Sequence, residues 1–377
     1  MEKNKLRVIL SGGGTGGHIY PAVSVAEALK RKYGDEVEIL FVGAEGKMEM
    51  ERVPALGYDI VGLPVAGFQR KLSLKNFSLP FKVLKSILRA KKIIRDFRPD
   101  IVVGFGGYAS APILRAAQNL KVPTVIQEQN SYAGVTNKIL GKRAHRICVA
   151  YDEMNRFFPS ERIVKTGNPL RGTFGDVSAK KTEALEYFGL HAEKPVILLV
   201  GGSLGTRTLN NAVLRWLDDI TAKQEVQLIW QTGKYYESGL NEQLKDRELP
   251  GVWRGAFIDR MDLAFAAADV VVSRAGASTV SELCLVGKPT IFVPSPNVSE
   301  DHQTKNARAL SSVGAALLIS DHDAVEQVIP AAIALAADAE KLGVMRNNIR
   351  ALGIADSAER VVREIEAVLE EKNNRVR

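Results

Sequence analysis

The chain has 377 residues, 46% of them hydrophobic and 25% charged, with a formal net charge of +8. That balance excludes a disordered chain, and the length exceeds what one ordinary core accommodates, so two domains are expected. Val8, Ile9 and Leu10 are too short an apolar run for a signal-peptide core, and no later stretch is long enough to cross a bilayer; with Cys148 and Cys284 far apart in apolar contexts, a cytosolic chain with two buried, reduced thiols is predicted.

The first predicted strand starts at Leu6 and runs into a glycine turn, Gly12 to Gly17, that ends at His18. Helical spacing follows over Ala22 to Lys30, with Pro21 expected in the first helical turn. Charge concentrates between Gly67 and Arg98. There Arg70, Lys71, Lys75, Lys82, Lys85, Arg89, Lys91, Lys92, Arg95 and Arg98 are opposed only by Asp96 and interleave with Leu72, Leu74, Phe77, Leu79, Phe81, Leu84 and Leu88. Such a segment suits an anionic membrane surface, a nucleic acid or a solvated basic helix face.

Two further apolar strands follow, one before Gly106 and Gly107 and one over Val122 to Ile126; the Gly/Pro break from Thr166 to Gly172 then ends the first half. The second half repeats the plan. A strand from Lys194 enters the turn Gly201 to Gly205, a strand from Ala268 enters Arg274 to Gly276, and a short strand runs from Lys288 to Val293. Continuous Val/Ile runs separated by helical patterns are the signature of strands buried on both faces of a parallel sheet. The expectation is therefore an α/β fold of two Rossmann-like domains, 1–168 and 169–355, with parallel sheets facing across a cleft. A charged amphipathic helix over 356–373 is expected to pack back on the first domain. Ligands belong beyond the carboxyl ends of such strands.

Several motifs can carry chemistry. Gly12 to Gly17 contains G-x-G-x-x-G, and Glu45 ends the second strand, where a dinucleotide fold places a ribose-binding acid; by itself the pattern is weak. His18, at a helix start beside the glycines, is a candidate base. Gly201 to Gly205 reads literally as G-x-S-x-G, a nucleophile elbow with Asp269 and His302 as candidate partners, but the duplicated plan favours a diphosphate cradle with Ser203 donating a hydrogen bond. Amides at Ala277 to Thr279 suit a phosphate, and Glu282 can chelate ribose hydroxyls or close a capping box with Thr279. Asp321, His322 and Asp323 form D-x-D, yet Asp321 reads as a helix start, and no Cys/His cluster exists, so no metal site is expected.

Taken together, these motifs resemble the B-type glycosyltransferases of peptidoglycan synthesis over nearly the whole chain. The resemblance rests on Gly13–His18, Gly106–Ser110, Glu128–Asn130, Ala133–Lys138, Gly167–Arg171, Gly201–Ser203, Ser273–Glu282 and Asp301–Ala307. It implies inverting transfer of N-acetylglucosamine from UDP-N-acetylglucosamine to the 4-hydroxyl of lipid I, an undecaprenyl-diphosphate-linked muramyl pentapeptide, giving lipid II. No cofactor and no nucleic-acid partner are implied. The enzyme would work peripherally at the cytoplasmic face of the inner membrane, touching its anionic surface through about 67–98. By motif position the substrates lie near Thr15, Gly16, Gly17, Gly106, Gly107, Asn130, Asn137, Arg171, Ser203, Ile258, Ala277, Ser278, Thr279, Val280, Ser281, Glu282 and Gln303. His18 and Glu128 are the two base candidates. Gln127, Leu204 and Ala111 depart from the residues the family often carries, and Leu204 offers the diphosphate no side-chain hydrogen bond. A nicotinamide-dependent oxidoreductase and a non-enzymatic nucleotide-sugar-binding protein are the alternatives.

Overall fold

In a computed structural model, residues 5–65, 79–170, 172, 177–202 and 204–376 are described. The chain divides into two units, one of residues 1–172 with 356–377 and one of residues 173–355. The first alternates β1 (Leu6–Ser11), α1 (Gly16–Tyr33), β2 (Val37–Ala44), α2 (Glu49–Arg52), β3 (Asp59–Leu63), α3 (Leu79–Phe97), β4 (Ile101–Gly104), α4 (Ser110–Asn119), β5 (Thr124–Glu128), α5 (Val135–Gly141), β6 (Arg146–Val149) and β7 (Ile163–Lys165). The second continues with α6 (Lys181–Phe188), β8 (Val196–Val200), α7 (Arg207–Lys223), β9 (Gln227–Gln231), α8 (Glu237–Leu244), β10 (Val252–Gly255) and α9 (Met261–Ala267). Then come β11 (Val270–Ser273), α10 (Ala277–Val286), β12 (Thr290–Phe292), α11 (His302–Ser311), β13 (Leu317–Leu318), α12 (Ala324–Ala337) and α13 (Ala339–Ala351); α14 (Ser357–Val376) returns to the first unit.

Both sheets are parallel throughout. Their orders are β3-β2-β1-β4-β5-β6-β7 and β10-β9-β8-β11-β12-β13, so the first five strands follow the same plan in each unit. The strand order reverses between β1 and β4 in the first and between β8 and β11 in the second. These are the switch points at which loops diverge and leave room for a ligand.

Alternation along each strand explains the unbroken apolar runs. In β1, Val8 and Leu10 face a core shared with α1 and α14, while Ile9 faces the core on the other side, with Ala90 and Ile94 of α3 and Ile113 of α4. Successive side chains point to opposite faces, and helices cover both, so every position is apolar. The last helix is part of this core: Val361, Val362, Ile365 and Val368 are buried against α1. Its charged face is tied down by Arg31 to Glu359 at 2.8 Å and by Arg146 to Glu364 at 3.4 Å and to Glu371.

Two local expectations need correction. Pro21 lies in the second turn, because α1 starts at Gly16. Its missing N–H removes the bond that the Gly17 carbonyl would otherwise accept. Asp321 does not start a helix: α12 begins at Ala324 with Asp323 at its N-cap position.

Candidate active site

In the first unit three turns meet at the carboxyl ends of β1, β4 and β5. The β1 turn places Thr15 at the N-cap position of α1, with Gly16, Gly17 and His18 in the first turn, where the His18 N–H donates to the Thr15 carbonyl at 3.1 Å. His18 Nδ1 lies 3.0 Å from the Gly13 carbonyl oxygen and 3.2 Å from Thr15 Oγ1. A carbonyl can only accept, so in the neutral ring Nδ1 carries the proton and Nε2 the lone pair. The ring lies against the β4 turn: a Cβ at Gly106 would come 3.3 Å from Nε2 and 3.4 Å from Asn137 Nδ2. His18, Gly106 and Asn137 are thus immediate neighbours.

Glu128, at the end of β5, is 2% exposed. Its carboxylate accepts from Asn130 N at 3.1 Å, Asn130 Nδ2 at 3.3 Å, Gly134 N at 3.0 Å and Asn137 Nδ2 at 2.9 Å. Burial pushes its pKa up, and these hydrogen bonds oppose the rise. A carboxylate so fully occupied organises the turn from Asn130 to Asn137; its lone pairs are already spoken for. Asn137 Oδ1 is buried without a partner among the described residues. Gln127 is fully buried and Gln129 ties the β5 turn to the β4 turn through the Phe105 carbonyl at 2.7 Å.

In the second unit the residues gather around β8, β9, β10 and β11. Ala277, Ser278, Thr279, Val280, Ser281 and Glu282 form the first two turns of α10, with Gly276 at the N-cap position. The capping-box alternative for Thr279 and Glu282 is overturned: the helix starts two residues before Thr279, so both lie inside it. Ser281 Oγ donates back to the Ala277 carbonyl at 3.0 Å, and Val280 is buried core. Thr279 and Glu282 line a cavity of about 170 Å³ with Gly202, Gln231, Ile258 and Phe265. Glu282 has no hydrogen bond or ion pair among the described residues, and burial pushes its pKa up to about 7. Gln231, whose importance the sequence did not signal, directs its Nε2 to the Gly202 and Ala256 carbonyls and leaves Oε1 buried without a partner among the described residues. Gln303, on α11, accepts from Ser295 N at 2.9 Å. Arg171 and Ser203 lie outside the described residues.

Other candidates are occupied elsewhere. Glu45 pairs with Arg89 of α3 rather than waiting for a ribose. Asp269 stands at the amino edge of β11, bound to Val196 N and Lys181, whereas the Gly201 to Gly205 turn leaves the opposite edge, so no elbow triad forms with it. Asp321 pairs with Arg274 at 2.6 Å and accepts from Thr208 Oγ1 at 3.1 Å, while Asp323 engages Ser320 and His322. Among the described residues no group of three or more His, Cys, Asp or Glu is placed to hold a metal. Both cysteines are free and buried, and burial pushes the Cys284 thiol up to about 12.

Comparison with known proteins agrees with this arrangement. Residues 8–149 match the glycosyltransferase family 28 N-terminal domain and residues 196–361 its C-terminal domain. A protein of Parabacteroides distasonis named UDP-N-acetylglucosamine–N-acetylmuramyl-(pentapeptide) pyrophosphoryl-undecaprenol N-acetylglucosamine transferase is 54% identical over 98% of this chain and 100% of its own length. A Porphyromonas gingivalis protein of the same name is 54% identical over 97% of this chain and 96% of its own. The crystal structure of Acinetobacter baumannii MurG superposes with a TM-score of 0.75 at 29% identity, covering 96% of this chain and 99% of that one. A UDP-GlcNAc 2-epimerase from Neisseria meningitidis, at 14% identity and a TM-score of 0.65, shares the fold alone. Two family domains in order, each carrying its glycine turns at a switch point, show that the chain belongs to glycosyltransferase family 28.

Proposed function

We propose that this enzyme transfers N-acetylglucosamine from UDP-N-acetylglucosamine to the 4-hydroxyl of the muramyl unit of lipid I, with inversion at the anomeric carbon. The substrate class rests on the near-full-length similarity to transferases of that name. The observation that carries the chemistry is the His18 ring, held by the Gly13 carbonyl with Nε2 as its basic nitrogen beside Gly106. In this reading Nε2 takes the proton from the attacking hydroxyl. The new C1–O bond forms on the face opposite the old one, whose electrons leave with the UDP diphosphate. A positioned base accelerates such a step by about 10²–10⁴-fold. Glu128 holds Asn137 and the start of α5 in place.

In the second unit the first turn of α10 presents amides at Ala277 to Thr279 without a partner among the described residues, and such a helix start favours an anion like the departing diphosphate. Glu282, with Thr279 and Gln231, lines the cavity that takes the nucleoside, and its carboxylate accepts from ribose hydroxyls. Glu45, engaged by Arg89, and the family match leave the nicotinamide alternative without support.

The membrane reading belongs to α3. No helix among the described residues is long and apolar enough to cross a bilayer. Leu84 and Leu88, each 56% exposed, sit one turn apart among the exposed Lys85, Arg89 and Lys92. Apolar tips ringed by cations suit shallow adsorption to an anionic leaflet, where a polyprenyl acceptor resides. Residues 66–78, with Arg70, Lys71, Lys75 and Phe77, lie outside the described residues, as do the side chains of 79–83.

The test is transfer of labelled N-acetylglucosamine from its UDP ester to lipid I by the purified protein. A β-linked disaccharide product is expected. Binding of the donor without any transfer would instead leave a nucleotide-sugar-binding protein.

A further inference from the structure

We propose that Glu49 is a positioning residue for His18, acting through the single peptide group between Gly13 and Gly14. This rests on the reading of His18 as the base. Glu49, on α2, is fully buried and has no ion pair among the described residues. Its two oxygens are spent on backbone: Oε2 accepts from Gly14 N at 3.1 Å and Oε1 from Ala44 N at 3.0 Å. The Gly14 N–H belongs to the same peptide group as the Gly13 carbonyl, which accepts from His18 Nδ1 at 3.0 Å. The described residues contain no cis peptide bond, so N–H and C=O point in opposite directions. Carboxylate, peptide and imidazole therefore form one chain of hydrogen bonds.

Hydrogen bonds in series polarise one another. An acid on the N–H side pushes electron density onto the Gly13 oxygen, which then holds the Nδ1 proton more firmly. The lone pair stays on Nε2, and the imidazolium formed when Nε2 takes a proton is stabilised. The arrangement does the work of a carboxylate bonded directly to a catalytic histidine, with a peptide inserted between the two.

The turns are built around this contact. A Cβ at Gly13 would come 2.2 Å from Glu49 Oε1, one at Gly43 2.5 Å from Glu49 Cγ, and one at Gly107 2.4 Å from the Gly13 oxygen. Glycine at all three positions lets the acid, the peptide and the β4 turn close up. A buried acid lacking a cation is costly, which argues for a role that an apolar residue would not fill. Among the described residues, other titratable groups near this region are Tyr108, whose ring lies against Gly14, and Glu128, which holds Asn137 beside Gly106. Glu45 is neutralised by Arg89, and Glu51 and Arg52 of α2 are exposed.

The experiment follows the His18 ring and the Gly14 amide of the full-length protein by NMR across pH, with His18→Gln used for assignment. In the parent, the Gly14 amide signal is expected to shift with the same midpoint as the His18 ring. In Glu49→Gln, which keeps the shape, the His18 midpoint is expected to fall by about half a pH unit or more. The acid limb of the turnover profile should move with it, and plateau turnover should drop about two- to tenfold at unchanged donor KM. A Gly14 amide indifferent to His18 titration overturns the proposal without any variant, which covers the case that Glu49→Gln does not fold. A folded Glu49→Gln that loses activity with the His18 midpoint unmoved also overturns it. If the midpoint moves while the turnover limb stays, Glu49 still tunes His18, and the assignment of His18 as base is what fails.

Discussion

Asn137 donates a 2.9 Å hydrogen bond to Glu128 while its Nδ2 also lies beside Gly106, against which the His18 ring packs. Residues from β5, α5 and the first two glycine turns are thereby joined in one contact chain. Of the two base candidates, Glu128 is the one bound into this chain of contacts, and His18 is the one proposed as the base.

The first prediction separates those roles. Glu128→Gln turns an amide toward donors from Asn130, Gly134 and Asn137, so it should destabilise the first unit by about 1–3 kcal/mol. Urea unfolding will read this. The pH–turnover profile should keep its acid limb in Glu128→Gln. It should lose that limb in His18→Ala, with turnover down by about 10²–10⁴-fold and UDP binding intact. A limb lost only in Glu128→Gln would reverse the assignment.

Glu282 sets a pH dependence in the second unit. Burial raises its pKa from 4.5 to about 7, so the folded state holds the proton more tightly than the unfolded chain does. The stability this contributes is complete below pH 4.5 and is lost as pH rises through about 7. The loss is on the order of 3 kcal/mol for the unliganded protein. Thermal unfolding without nucleotide should decline over that window in the parent and stay flatter in Glu282→Gln. With ribose hydroxyls donating to the ionised carboxylate, as proposed, UDP affinity should rise from pH 6 to pH 8, and calorimetry on Glu282→Gln should show no such rise.

Exposed apolar residues on α3 predict surface binding. Leu84→Glu with Leu88→Glu should release the protein from anionic liposomes in a sedimentation assay, since each partly buried leucine contributes about 1–2 kcal/mol. Transfer to full-length lipid acceptor should slow while transfer to a short-chain soluble analogue is spared. Raising salt should weaken binding of the parent, because exposed charges are screened over about 8–10 Å at physiological ionic strength. A double variant that sediments like the parent would place membrane contact elsewhere.

The last helix predicts a stability effect far from the chemistry. Ile365 is fully buried between α14 and the first sheet. Ile365→Ala should cost about 2–5 kcal/mol in urea unfolding, from lost burial and the cavity left behind. Arg31→Ala, which breaks an exposed pair with Glu359, should cost less than about 1 kcal/mol.

Sequence by itself determined the fold class, because the cause is local and repeated. Runs such as Val8 to Leu10 and Val196 to Val200 are apolar at every position, which only a sheet covered on both faces permits, and the helices between them recur in the same order. It also determined which turns border a ligand site, since glycines after parallel strands fall at the carboxyl edge whatever the rest of the chain does. What the side chains of those turns do was decided by contacts between residues distant in sequence. Glu45 and Glu49 look alike in a charged stretch, yet Glu45 pairs with Arg89 on the surface and Glu49 lies beneath Gly13. Thr279 and Glu282 have capping-box spacing, but the helix begins at Ala277 and turns both toward a cavity. Asp321 looks like a helix start until Arg274, folded in from β11, claims it. Spacing along one element reports periodicity; which acid is buried, paired or left waiting depends on what a parallel crossover brings beside it, and only the tertiary structure supplies that neighbour.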